Sequence, residues 1–160
     1  MNRGLNGMAH IEWNQDLEIG IGVIDGQHRR IVDYINTLDD VSRTPDREVV
    51  GRVIGDLIDY TYSHFAFEEA LMEEAGYGLL TIHQNTHKVF CERIDDFKKR
   101  FDDGADVAGP LAELLRTWLI NHIVQDDRSY AGLVKEKMPR IEAGEHGNWL
   151  KNAVTRFFRS

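Results

Sequence analysis

Cysteine is almost missing from this chain: Cys91 is the only one in 160 residues. Neither an intrachain disulfide nor a thiolate cluster can form, and a reducing, cytoplasmic setting is the expected address. No run of about 18 apolar residues occurs, so stable insertion into a membrane is not expected. The opening MNRGLNGMAH lacks the apolar centre of a secretory signal peptide. Positive charge is in short supply: 19 lysines and arginines stand against 27 aspartates and glutamates, a formal net charge of −8. Phosphate backbones require a concentrated basic surface, which excludes nucleic acid as a partner. Strand signals are absent as well. What remains, 42% hydrophobic and 29% charged residues, is the composition of an ordinary soluble domain with a real core.

The residues that are present fall into helical steps. Residues 11–26, IEWNQDLEIGIGVIDG, are mixed and glycine-rich, and read as an ordered arm that lays Trp13, Leu17 and Ile19 on the core. From about Gln27 to Val41, Ile31, Val32, Ile35 and Leu38 recur at helical spacing, with His28 one turn ahead on the same face. The segment SRTPDRE signals a turn and a restart, with Thr44 as the expected N-cap and Pro45 at the first helical position. A second helix should then run to about Glu74 with Val50, Ile54, Leu57, Thr61, His64, Glu68 and Leu71 inward. Glycines 76 and 78 break it, and a third helix shows His83, His87, Phe90, Ile94, Phe97 and Phe101. After DDGAD, a fourth starts near Gly109-Pro110, points Leu111, Leu115, Trp118 and His122 inward, and continues to about Lys137, where Pro139 should stop it.

Four helices with short connections make an all-α fold, an up-down-up-down antiparallel four-helix bundle. In that topology the start of the first helix, the end of the second, the start of the third and the end of the fourth share one end. His28, His64 with Glu68, His83 with His87, and His122 occupy those places. Counted from the opposite end they lie roughly 15 to 24 positions up, a band of about 13 Å at 1.5 Å per residue. A single inward histidine is ordinarily a core imidazole bonded to a carbonyl. Five at one level would multiply the cost of desolvated polar groups, unless a metal satisfies them together. Five imidazoles and one or two carboxylates exceed the needs of one tetrahedral zinc and suit two first-row ions of iron type.

These residues resemble a known family. IGVIDGQH, HFAFEE.LM, H...H and WLINHIVQDD, together covering about residues 11–135, are similar to the bacterial hemerythrins, non-haem di-iron proteins that bind oxygen. The resemblance implies two iron ions with an oxo or hydroxo bridge. His83, His87 and His122 would hold one, His28 and His64 the other, and Glu68 and Asp127 would bridge them. His122 and Asp127 are five apart, about 140° around a regular helix. A locally widened, π-like turn would let Asp127 reach, and Asp126 is then expected to be solvated. The iron with two imidazoles keeps an open position, where the family binds dioxygen reversibly. Ile31, Ile35, Phe65, Trp118, Leu119 and Ile123 are the expected apolar lining of that oxygen pocket.

The expected function is therefore reversible dioxygen binding for storage, delivery or sensing, and not catalysis. A di-iron oxidase, peroxidase or nitric oxide-reducing enzyme is the alternative. Oxygen-activating sites of the ferritin type are mostly carboxylate, with Glu-x-x-His pairs. Here histidines outnumber carboxylates five to two, which favours the carrier. Cys91 reads as a small hydrophobe, and His10 and His146 as exposed. The expected domain spans residues 1–140, its arm residues 1–26, with a tail over 141–160. Trp149, Leu150, Ala153, Val154, Phe157 and Phe158 step along that tail as a short amphipathic helix, for docking on the bundle or for a protein partner through residues 148–160. Three basic residues there would support only marginal membrane binding.

Overall fold

The computed structural model describes residues 10–143, and the tail helix expected over 148–160 lies outside the described residues. Among the described residues there is no strand; the helices are α1 (Gly22–Val41), α2 (Arg47–Ala75), α3 (Leu80–Asp102), α4 (Ala108–His122) and α5 (Arg128–Ala143). A π turn, Ile123–Asp127, joins α4 to α5 without leaving helical backbone, so the two form one rod. The result is a four-helix bundle in which α1 lies against α2 and α4, and α2 also against α3 and α5. No helix of the described residues is long and apolar enough to cross a membrane.

Local chemistry explains where each rod begins and ends. The first helix starts at Gly22, five residues ahead of the expected Gln27. Asp25 makes this possible. Its carboxylate reaches back to accept from the N–H of Ile19 (2.8 Å) and of Gly20 (3.0 Å), which ties the arm to the helix entry. The arm also holds a 3-10 turn, Gln15–Leu17, and is sewn to α1 by Asn36, which accepts from Ile11 N–H (2.7 Å) and donates to its carbonyl (2.9 Å). Leu17 and Ile19 are buried and Trp13 packs half-buried against the core, as the arm reading requires.

Two further boundaries differ from the sequence expectation. The N-cap of α2 is Asp46, not Thr44. Its Oδ1 accepts from the N–H groups of Glu48 (3.1 Å) and Val49 (3.2 Å), satisfying donors that a helix start leaves orphaned. An ionised carboxylate at the positive end of the helix dipole outcompetes a neutral hydroxyl. Pro139 does not end the last helix, which runs through it to Ala143. Proline forfeits one N–H and crowds the carbonyl four residues back, but Ile141 beyond it is buried in the core, and that packing offsets the cost. At the other end of α2, Gly76 takes the left-handed conformation (φ 73°) and the chain closes with Tyr77 N–H on the Met72 carbonyl at 3.0 Å.

The inward stripe of α2 is buried as its spacing predicts, from Val50 through Leu57 and His64 to Glu68 and Leu71. On α3 Phe97 is only half-buried, while His83, His87, Phe90, Ile94 and Phe101 face the core.

Candidate metal centre

Each ligand candidate comes from a helix whose apolar stripe fixes its direction. His28 lies one turn before Ile31 on α1; His64 and Glu68 continue the α2 stripe; His83 and His87 open the α3 stripe; His122 ends α4. Asp127 closes the π turn. The wider turn lets a residue five positions on return to the histidine's side of the rod. All seven side chains are buried, and His28, His64, Glu68 and Asp127 are fully so.

The two carboxylates are divided between two groups of imidazoles. Glu68 turns Oε2 toward His64 Nε2 (3.2 Å) and His28 Nε2 (3.7 Å). Its Oε1 faces His83 Nε2 (2.8 Å), His87 Nε2 (3.2 Å) and His122 Nε2 (3.9 Å). Asp127 repeats the division, Oδ2 at 3.0 Å from His28 Nε2, Oδ1 at 3.2 Å from His83 Nε2 and 3.1 Å from His122 Nε2. The ligand atoms accordingly form a cluster of Glu68, His83, His87, His122 and Asp127, and an adjoining one of His28, His64 and Glu68.

Hydrogen bonding alone does not account for this arrangement. His28 Nε2, His64 Nε2, Glu68 Oε2 and both oxygens of Asp127 are buried without a hydrogen-bond partner, although they lie 3–4 Å from one another. Their lone pairs converge on common points, and orphaned buried polar atoms cost too much to persist in such number without something to satisfy them. The same crowding shows in protonation. Burial pulls the pKa of His28, His83 and His122 down. The close carboxylates of Asp127 and Glu68 outweigh it, leaving them raised to about 9, 9 and 10. Burial alone would raise the Asp127 and Glu68 carboxyls, but the surrounding imidazoles hold both well below their ordinary range. Without a cation, protons on the histidines balance the two anions. A cluster of imidazole nitrogens and carboxylate oxygens with this charge balance is able to hold metal.

The comparison with known proteins is decisive on kinship: residues 19–134 match the family described as Hemerythrin HHE cation binding domain. The chain belongs to the hemerythrin family. This is a family known for binding oxygen at a di-iron site. The chain is similar to the bacteriohemerythrin of Stenotrophomonas maltophilia (strain R551-3), 46% identical over 153 residues that cover 94% of this chain and 99% of the relative. It is 44% identical over 152 residues to the bacteriohemerythrin of Pseudomonas aeruginosa (strain LESB58), again covering 94% and 99%. The crystal structure of a wild-type hemerythrin superimposes with a TM-score of 0.75 at 32% identity, covering 78% of this chain and 97% of that one.

Around these seven side chains the structure adds groups outside the expected ligand set. Gln27, fully buried beside His28 in sequence, accepts with Oε1 from His64 Nδ1–H at 2.6 Å. Its signal was a polar residue one step off an inward histidine. Tyr130, three residues past Asp127, is buried against His83 with ring centres 5.6 Å apart. Burial and the charges of Glu68 and Asp127 push its phenol well above the ordinary range, so it keeps its proton. Asp126, expected to be solvated, is only half-exposed and accepts from His122 Nδ1–H at 2.7 Å. A carboxylate four residues from a helical histidine shares its face, and that geometry holds across the π turn.

The expected oxygen-pocket residues are all in the core or packed on it. Phe65 stacks on His87 (3.9 Å, 13°) and Trp118 on His122 (4.2 Å, 19°), so both aromatic planes cover the group of three imidazoles. Ile31, Ile35, Leu119 and Ile123 are buried. Cys91 is half-buried and contributes no atom to either cluster. His10 is exposed, 3.2 Å from Asp40.

Proposed function

We propose that this chain reversibly binds dioxygen at a centre of two iron ions. In this reading His83, His87 and His122 would hold one iron and His28 and His64 the other, with Glu68 and Asp127 shared between them. The observation that carries the reading is the division of each carboxylate, one oxygen toward each group of imidazoles. Two bridging anions and five neutral imidazoles suit a pair of divalent ions, because the four positive charges are half-neutralised and the nitrogens fill the remaining positions.

When bound, such a pair would supply the two electrons that dioxygen takes up and returns. The chain's own residues then do three things. Gln27 fixes the ring of His64 so that Nε2 points inward. Phe65 and Trp118 cover His87 and His122 and exclude water from their side. Ile31, Ile35, Leu119 and Ile123 supply apolar surface for the pocket, which keeps bulk protons away.

The carrier is preferred to an oxidase, peroxidase or nitric oxide reductase because nitrogen ligands outnumber carboxylates, which disfavours high-valent iron. Purified protein should contain two irons per chain. The reduced form should develop visible charge-transfer bands in air that reverse under vacuum. One zinc, or no metal, would remove the reading. Irreversible bleaching with steady oxygen consumption in the presence of a reductant would replace it with the enzyme.

A further inference from the structure

The Nδ1 atoms of the ligand histidines are not treated alike. His64 Nδ1 meets the neutral amide oxygen of Gln27 at 2.6 Å, while His28 Nδ1 and His87 Nδ1 are buried with no hydrogen-bond partner. Glu69 approaches His87 Nδ1 no closer than 3.8 Å, too far for a hydrogen bond. Only at His122, among these four rings, does Nδ1 face an anion at bonding distance: Asp126 Oδ2, 2.7 Å away. The opposite nitrogen of the same ring, Nε2, points into the centre, 3.1 Å from Asp127 Oδ1. Two consecutive aspartates thus flank one imidazole. The π turn permits this, since its wider winding returns the residue five positions on to the histidine's side while the residue four on stays there.

We infer that Asp126 is a positioning residue for His122, fixing the ring with Nε2 free for the metal and, through its charge, lowering the reduction potential of the iron that His83, His87 and His122 hold. The inference rests on the ligand set proposed above. Its physical basis is the general carboxylate–histidine–metal arrangement, in which an anion on the remote N–H fixes the tautomer and makes the imidazole a stronger donor. A stronger donor favours the more highly charged iron. The side chain sits at the edge of a cleft of about 220 Å³ that Arg93, Asn121 and Gln125 also line. There the carboxylate is half-exposed while the ring it holds stays 2% exposed.

Three variants separate charge from orientation. Asp126→Asn keeps an acceptor oxygen and loses the charge, Asp126→Ala loses both, and Glu92→Gln removes an exposed acid on α3 as a control for surface charge. The readouts are the midpoint potential of the iron centre, iron retention against a chelator, and the melting temperature of the iron-free chain. Asp126→Asn should retain iron and shift the potential upward. Asp126→Ala should shift it upward and bind iron about 10- to 100-fold more weakly. Glu92→Gln should match the parent, and the iron-free melting temperatures should agree throughout. If the parent holds two irons but neither Asp126 variant changes potential or retention, this inference alone fails. A loss in Asp126→Ala that merely follows a lower iron-free melting temperature overturns it as well, because the role is then structural. A parent that binds no iron overturns the ligand set first and this inference with it.

Discussion

At Glu68 and Asp127 a single charge serves two neighbours, because each oxygen of each carboxylate faces its own group of imidazoles. Glu68→Gln and Asp127→Asn keep the shape and remove the anion that the proposed centre shares between two irons. Each should weaken iron binding by more than about 10-fold, the scale on which even outer partners act. Glu69→Gln, whose carboxylate stands 3.8 Å from His87 Nδ1, should stay close to the parent. Iron content after dialysis against a weak chelator measures all three, and equal losses at Glu68 and Glu69 would mean that the α2 face is misread. Phe65 is the other residue with a double role. It is 3% exposed and lies flat on His87, so Phe65→Ala should cost about 3–5 kcal/mol in urea unfolding. It should also shorten the lifetime of the oxygenated form, since water gains a path to the centre. A variant as stable and as long-lived as the parent would sink both parts.

The helices show how ends and irregularities are chosen. Asp46 took the cap of α2 because an ionised oxygen reaches two N–H groups there, whereas Thr44 Oγ1 accepts only from Asp46 N–H at 3.4 Å. Asp46→Ala should therefore cost about 1 kcal/mol, or about 2–4 °C in melting temperature. Thr44→Ala should cost less, and calorimetry on the two variants decides the cap. The π turn is the more consequential irregularity. Residues 123–127 were legible as a place where regular spacing and ligand position conflict, since Asp127 stands five from His122. The structure resolves the conflict by using both aspartates, Asp127 inside and Asp126 outside the same ring.

For the whole molecule, burying two carboxylates among five imidazoles ties stability to pH. In the iron-free chain His28, His83 and His122 are raised from 6.5 to about 9, 9 and 10, against the pull of burial, by the anions beside them. A raised basic group stabilises fully below its unfolded value, and that contribution fades as pH climbs through the folded one. Glu68 and Asp127 are lowered, so their contribution is present above the ordinary carboxylate range and is lost on acidification. His64, held below its ordinary value by burial, adds to the acid loss. The iron-free protein should melt highest between the carboxylate range and about pH 6.5 and progressively lower toward pH 10. Bound cations replace the protons, so the iron-loaded protein should show a flatter alkaline limb. Thermal midpoints across this range test the claim, and an iron-free protein that gains stability up to pH 9 would contradict it.

The sequence by itself determined the rods and the level at which the histidines meet. Apolar residues at steps of three and four dictate one buried face per helix, and short connections leave one antiparallel order. His28, His64, Glu68, His83, His87 and His122 follow from those two constraints. The start of α1 at Gly22, the cap at Asp46 and the passage through Pro139 were not legible. Each depends on which nearby group wins a backbone hydrogen bond, or on what the residues beyond the proline bury. Only the tertiary structure decided the partners of the ring nitrogens: Gln27 on His64, Asp126 on His122, Phe65 and Trp118 on the faces of His87 and His122. Spacing sets the direction in which a side chain leaves its helix. Which atom it meets at 3 Å depends on the angle and depth at which a second helix packs.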